Sequence, residues 1–150
     1  MNRQEVIEII KNCLTSLYRN YGILIEKQVR EETINERFIT YLRDYFEVEK
    51  ITVEPEYDKH IDGDKNYKTI EGETKRLRPD IVIHEIGTDD NNQIAFECKK
   101  KKITEEDEVK IDALIRQYNY RYGVLVEYNS KRFTICELAG DTLELESYSI

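Results

Sequence analysis

Three residues near the middle of the chain have the types and spacing for phosphoryl chemistry: Asp80, Glu97 and Lys99. Asp80 follows Pro79 and enters the apolar run Ile81-Val82-Ile83. Glu97 and Lys99 leave the run Ile94-Ala95-Phe96. If the two runs pair as an antiparallel hairpin with Ile83 facing Ile94, then Ile81 faces Phe96 on the same side and Val82 pairs with Ala95 on the other. That register sets Asp80 opposite Glu97, with Lys99 two residues on and on the same face as Glu97. A slip of one residue would scatter the group.

Facing carboxylates repel, so a purely structural hairpin has reason to avoid them. A divalent cation removes the conflict. Magnesium takes oxygen ligands and is commonly held by one or two carboxylates plus water and substrate phosphate. Such an ion can polarise a phosphoryl group and lower the pKa of a bound water. An ammonium at Lys99 would then hold that water or stabilise charge developing on phosphorus. The competing reading is plain: strand ends often carry Asp, Glu and Lys, and the run Lys99–Lys102 is by itself an ordinary solvated stretch. A Pro-Asp entering one apolar strand and a Glu-x-Lys leaving the next favour the site.

The elements that must hold these residues can be read from periodicity. Residues 2–21 predict an amphipathic helix through Val6, Ile9, Ile10, Cys13, Leu14, Leu17 and Tyr21, with Gly22 as its stop. Glu31 to Phe46 predicts a second, with Ile34, Phe38, Leu42 and Tyr45 on one face. Val48, Ile51 and Val53 alternate as a strand. From Asp58 to Lys75 the chain is polar and aperiodic, predicting a long loop or ragged hairpin extension. Two strands follow, Arg78 to Glu85 and Asn92 to Lys99, around the turn-rich GTDDN. Thr104 is a good N-cap for a third helix, and the acids at 105–108 suit its positive end; the helix is expected to run to about Tyr122 and stop at Gly123. YGVLVEY, RFTICEL and LELESYS predict three closing strands. The expectation is one α/β (α+β) domain over 1–150, a sheet with helices packed against it.

At the residues quoted, the chain resembles the PD-(D/E)xK superfamily of restriction-endonuclease-like nucleases: Pro79-Asp80 matches PD and Glu97-Cys98-Lys99 matches ExK. Within it, RPDIVI, AFECKK, ALIRQYNY and YGVLVEYNSKRFTICEL look like the N-terminal nuclease domain of type I restriction motor subunits. The likeness covers roughly residues 30 to 140, with only the PD and ExK parts specific. It implies a restriction-endonuclease-like core, a central mixed sheet in the order αβββαβ, with helix 2–21 and the last strands as additions. It implies that Asp80 and Glu97 bind magnesium or manganese and that Lys99 positions or activates water. Glu36 matches an acidic position that often supplements the metal, and Gln117 a glutamine often near the active site, with Tyr120 three residues on. Each has a bland alternative: a solvated helix charge for Glu36, a filler of a packing gap for Gln117. The implied partner is nucleic acid, chiefly DNA, and a homodimer would serve where both strands are cut. No motor or target-recognition segment accompanies the core here, so it would act alone or within a larger assembly. Some members of the superfamily have lost catalysis, so a non-catalytic module binding a protein or nucleic acid is the alternative reading.

Composition bears on both. The chain carries 31 acidic against 23 basic residues, a formal net charge of −8. Non-specific attraction to phosphate is therefore weak, and contacts must come from local patches, a metal or a partner. Lys75, Arg76, Arg78 and Lys99–Lys102 are the candidates. No apolar run is long enough to span a bilayer, and the charged N-terminus does not resemble a signal peptide, so a cytosolic protein is expected. Cys13, Cys98 and Cys136 lack metal or disulfide spacing. Asp58-x-His60-x-Asp62-Gly63-Asp64 has only a partial likeness to a calcium loop, with Thr69 where the bidentate Glu belongs, and reads better as an acidic loop. His84 shares a face with Asp80 but lies roughly 13 Å along the strand, too far for a shared ligand. Tyr118 and Tyr122 fall at helical spacing and are expected to pack in the core rather than stack on bases.

Overall fold

The structure, a computed structural model, describes residues 1–60 and 63–150. It is an α+β fold: a mixed six-stranded sheet and three helices. Helix α1 (Arg3–Glu26) and helix α2 (Glu31–Phe46) come first. The sheet is built from β1 (Ile51–Pro55), β6 (Ile81–Glu85), β7 (Asn92–Lys99), β8 (Tyr122–Glu127), β9 (Arg132–Ala139) and β10 (Thr142–Ser149), side by side in that order. Between β1 and β6 the chain makes two small antiparallel ribbons, β2 (Lys59–His60) with β3 (Gly63–Asp64), and β4 (Asn66–Lys68) with β5 (Thr74–Arg76). Residues 61 and 62 of the calcium-like segment lie outside the described residues.

Every neighbouring pair in the sheet is antiparallel except β7 and β8, which run parallel. A parallel pair needs a crossover, and α3 (Glu105–Tyr118) is that crossover. The sheet therefore has two different coats. On one side α1 and α2 bury Ile10, Leu14, Leu17, Phe38 and Leu42 against Ile81, Ile83, Ile94, Phe96, Val124 and Val126. The Phe38 and Phe96 rings meet edge-on with centroids 5.6 Å apart. On the other side α3 and the β4–β5 ribbon bury Ile111, Leu114, Tyr67 and Leu77 against Val82, Ala95 and Leu125.

Two helix ends differ from the sequence reading. Gly22 does not end α1: the helix bends at Tyr21 (φ −132°, ψ 17°) and continues to Glu26, with Tyr21 and Ile25 packed on the core beyond the bend. The polar stretch after Asp58 takes the hairpin form that the sequence left open beside a loop, with Tyr67 and Leu77 in the second core. Helix α3 stops at Tyr118 rather than near Tyr122, because Asn119 adopts the left-handed conformation (φ 60°) that caps a helix. Tyr118 and Tyr122 consequently pack in opposite cores, and Gly123 lies within β8. A Cβ at Gly123 would collide with Ile111, so glycine there lets α3 lie close on the sheet. The start of α3 lies near the end of β7, where Lys99 Nζ is 3.5 Å from Asp107 Oδ1.

Candidate active site

The hairpin register is set by apolar pairs: Ile81 opposite Phe96, Val82 opposite Ala95, Ile83 opposite Ile94. Strand alternation then assigns Ile81, Ile83, Ile94, Phe96 and Cys98 to the side of α1 and α2, and Asp80, Glu97 and Lys99 to the side of α3. Two bonds extend the pairing past the start of β6. The Asp80 amide donates to the Phe96 carbonyl at 3.1 Å. The Cys98 amide donates to Asp80 Oδ2 at 2.7 Å. Asp80 is thus fixed by the neighbouring strand's backbone, and Pro79 before it, buried and with φ locked, fixes the entry of the chain.

Glu97 is 2% exposed, and its Oε1 has no hydrogen-bond partner among the described residues. Burial pushes its carboxyl pKa well above the ordinary range, and the Asp80 charge beside it pushes further in the same direction. Asp80 is raised too, by burial first; the Cys98 amide works against that rise and Glu31 adds to it. With no cation present, a proton shared by the pair belongs on Glu97, the more deeply buried partner. An orphaned oxygen on a buried carboxylate beside a second carboxylate fits a hard divalent cation, whose remaining ligands would be water and phosphate oxygens. Among the described residues no group of three or more His, Cys, Asp or Glu side chains has ligand geometry, so the candidate centre rests on Asp80 and Glu97 alone.

Lys99 extends toward α3, where its Nζ lies 3.5 Å from Asp107 Oδ1. Burial disfavours its charge, but Asp107, Glu31 and Asp80 outweigh that, and the ammonium pKa is raised. Asp107 is itself 2% exposed and forms the capping box of α3. The Thr104 amide donates to Asp107 Oδ2 at 2.8 Å, and the Asp107 amide donates to Thr104 Oγ1 at 3.2 Å. One carboxylate therefore both starts the helix and holds the lysine. Glu31, at the first turn of α2, accepts from the Lys100 amide at 3.1 Å. Lys110, half-buried on α3, acts electrostatically on both Asp80 and Glu97.

The structure brings Asp80, Glu97 and Lys99 together. It does not bring in Glu36 or Gln117. Glu36 is exposed on α2, while the helix turns Ile34, Asn35, Phe38 and Ile39 inward. Gln117 is exposed near the far end of α3, about 15 Å along the axis from Asp107 at 1.5 Å per residue. Tyr120 is buried beyond that end. Glu31, Asp107 and Lys110 were not singled out by sequence reasoning as site residues. For the last two a signal exists: an acid and a base one turn apart on the face that also carries Ile111 and Leu114. Of the basic residues expected to contact phosphate, Arg76 pairs with Asp58 and Asp64, and Arg78 lies 3.8 Å from Asp58. Lys101 and Lys102 are exposed. His84 is buried against Tyr57, and burial together with Lys65 lowers its pKa to about 4.

A cavity of about 540 Å³ opens at the opposite end of the sheet, among Phe46, Ile51, Asn92, Ile94, Arg121 and Tyr122. The carboxylates of the candidate site lie at the other end of β7. Comparison of the chain with protein-family models, curated proteins and solved structures gives no match. No helix among the described residues is long and apolar enough to cross a membrane.

Proposed function

We propose that this chain is a metal-dependent nuclease of PD-(D/E)xK type that hydrolyses phosphodiester bonds in DNA on a restriction-endonuclease-like core. The observation that carries the reading is the buried, orphaned Glu97 carboxylate beside Asp80, with Lys99 two residues on. A structural hairpin gains nothing from such a pair.

Asp80 and Glu97 would hold magnesium or manganese. The bound cation would supply charge to a phosphoryl oxygen and a water of lowered pKa. Asp80 presents one oxygen in a fixed direction because the Cys98 amide holds the other. Lys99 offers an ammonium that Asp107 keeps charged and in place, suited to stabilising negative charge as water attacks phosphorus. The cluster of Asp80, Glu97, Asp107 and Glu31 repels a bare phosphate, so substrate and cation would bind together.

A second reading, a non-catalytic module of the same fold that binds a protein or nucleic acid, is favoured by the net charge of −8. Calorimetric titration with magnesium separates the two, since the module has no specific cation site. The deciding experiment is cleavage of labelled single-stranded, duplex and branched DNA with magnesium or manganese. Wild-type protein is expected to cut, and Lys99→Ala to lose about a hundred- to a thousandfold in rate, the usual cost of removing one charge-stabilising donor. Cleavage that survives in Asp80→Ala after metal binding is lost would overturn the mechanism.

A further inference from the structure

The sheet has two edges, β1 and β10, and they are finished differently. At β1 the Glu56 amide bonds to the Asp80 carbonyl, and ladder alternation then turns the backbone groups of Val53 away from β6. Side chains at the end of α2 take both. Arg43 Nη2 donates to the Val53 carbonyl at 3.1 Å, and the Val53 amide donates to Glu47 Oε1 at 3.3 Å. Pro55, which also faces outward, has no amide to offer. At β10 the Ile150 amide bonds to the Lys131 carbonyl at 2.9 Å. The same alternation therefore turns the amides and carbonyls of Leu143, Leu145, Ser147 and Ser149 to the open edge. Among the described residues no side chain bonds to them, and the register runs through all of β10 without a proline or a bulge. The side chains along this edge alternate. Glu144, Glu146 and Tyr148 lie on the side of α1, where Arg3 pairs with Glu137 and Glu146. Leu143 and Leu145 lie on the side of α3, and Leu145 is 47% exposed. Glu144 stands directly opposite Glu137, and among the described residues no cation pairs with it.

We propose that the free edge of β10 takes an added strand from another polypeptide, an extended segment in which basic residues alternate with apolar ones. Backbone bonds to Leu143, Leu145 and Ser147 supply the affinity, and the alternating side chains make the choice of partner. Basic residues meet Glu144 and Glu146 on one side of the added strand, and apolar residues cover Leu143 and Leu145 on the other. A second copy of this chain fits less well. Antiparallel pairing about Leu145 sets each Glu144 against Glu146 of the other copy, and pairing about Glu146 sets that residue against itself. Like charges directly opposite one another are unfavourable. The acids therefore bar the edge to its own kind while admitting a basic strand. The inference is independent of the nuclease reading.

The test is titration of the protein with capped synthetic peptides as long as β10, read by amide shifts and hydrogen exchange in nuclear magnetic resonance. A peptide of alternating lysine and valine should bind saturably and slow exchange of the Leu145 and Ser147 amides, leaving the Val53 amide unchanged. The same residues arranged as a lysine block and a valine block should not bind. Glu144→Lys, which alters an exposed and unpaired charge, should weaken the alternating lysine peptide about three- to tenfold and favour one of alternating glutamate and valine. Ser147→Pro, whose lost amide does not bond to β9, should abolish binding. Absence of saturable binding, equal binding of the block peptide, or protection confined to residues outside β10 overturns the inference. So does slowed exchange at Leu145 and Ser147 that grows with protein concentration alone, which would identify a second copy as the occupant.

Discussion

One side of the sheet is covered by α1 and α2 and is apolar apart from Asn35, whose side chain accepts from the Tyr128 hydroxyl; the other is covered by α3 and the β4–β5 ribbon and buries the charged or titratable Glu97, Asp107, Lys65 and His84. Both sides use the same strands, and alternate residues of β6 and β7 divide between them. The first side is where burial stabilises the fold: Phe38, Phe96, Ile10 and Leu42 are sealed from water. The second side gives up some of that stabilisation. A carboxylate with an orphaned oxygen destabilises whatever fold contains it, unless something absent from the free protein binds there. The contrast separates residues whose burial stabilises the fold from charged residues whose burial does not.

Phe38→Ala tests the first side and should have the largest effect on stability. It leaves a hole between α2 and β7 and is expected to cost about 3–5 kcal/mol in urea unfolding. If the protein still folds, the Asp80–Glu97 pair on the far side should keep its affinity for the cation. A shift in affinity of the same size would show that the two sides are not separable.

Glu97→Gln tests the second side and has the opposite sign. The amide can donate to Asp80 and carries no charge, so the metal-free protein should gain about 1–3 kcal/mol at pH 8, while cation binding is lost. The gain should depend on pH. Glu97 has a folded pKa above its ordinary 4.5, so between the two values the folded state holds more protons than the unfolded one. The contribution of this carboxyl to stability therefore improves as pH falls through its folded pKa, and the advantage of the glutamine variant should shrink between pH 8 and pH 5. Urea melts of both proteins across that range check the sign; a constant gap would mean that Glu97 is ionised in the folded state throughout that range.

The smallest expected effect concerns where the two sides meet. Glu31 belongs to a helix of the apolar side, yet it bonds to the Lys100 amide at the end of β7. Glu36, on the same helix, is exposed. Glu36→Gln should change stability and cation affinity by less than about 0.5 kcal/mol, as for other surface substitutions. Glu31→Gln should change the affinity more, because its charge reaches Asp80 and Lys99. Equal effects in calorimetric titration would restore Glu36 as the supporting acid.

The same contrast explains what could be read from the sequence. The pairing of β6 with β7 was legible because two apolar cross-strand pairs allow one register and carry Asp80 and Glu97 with them. Helix α2 and the Thr104 cap were legible from periodicity and local side-chain chemistry. Glu31, Asp107 and Lys110 depend on how close α2 and α3 come to the end of β7, a tertiary distance that no local pattern encodes. The end of α3 was hidden for a related reason: Tyr120 and Tyr122 continue a helical spacing, while a single left-handed Asn119 turns the chain back into the sheet. The ribbons after Asp58 are held by Tyr67 and Leu77, two isolated apolar residues in a polar stretch.

Asp80, Glu97, Lys99, Asp107 and Lys110 all lie on one uninterrupted stretch of chain, a hairpin followed by its helix. Contacts so close along the chain close small loops and form early, at low entropic cost. The like charges are therefore joined across shorter loops than the one that docks α1 by the bond from Arg3 to Glu137, and a divalent ion bound to them would favour closure of that short stretch.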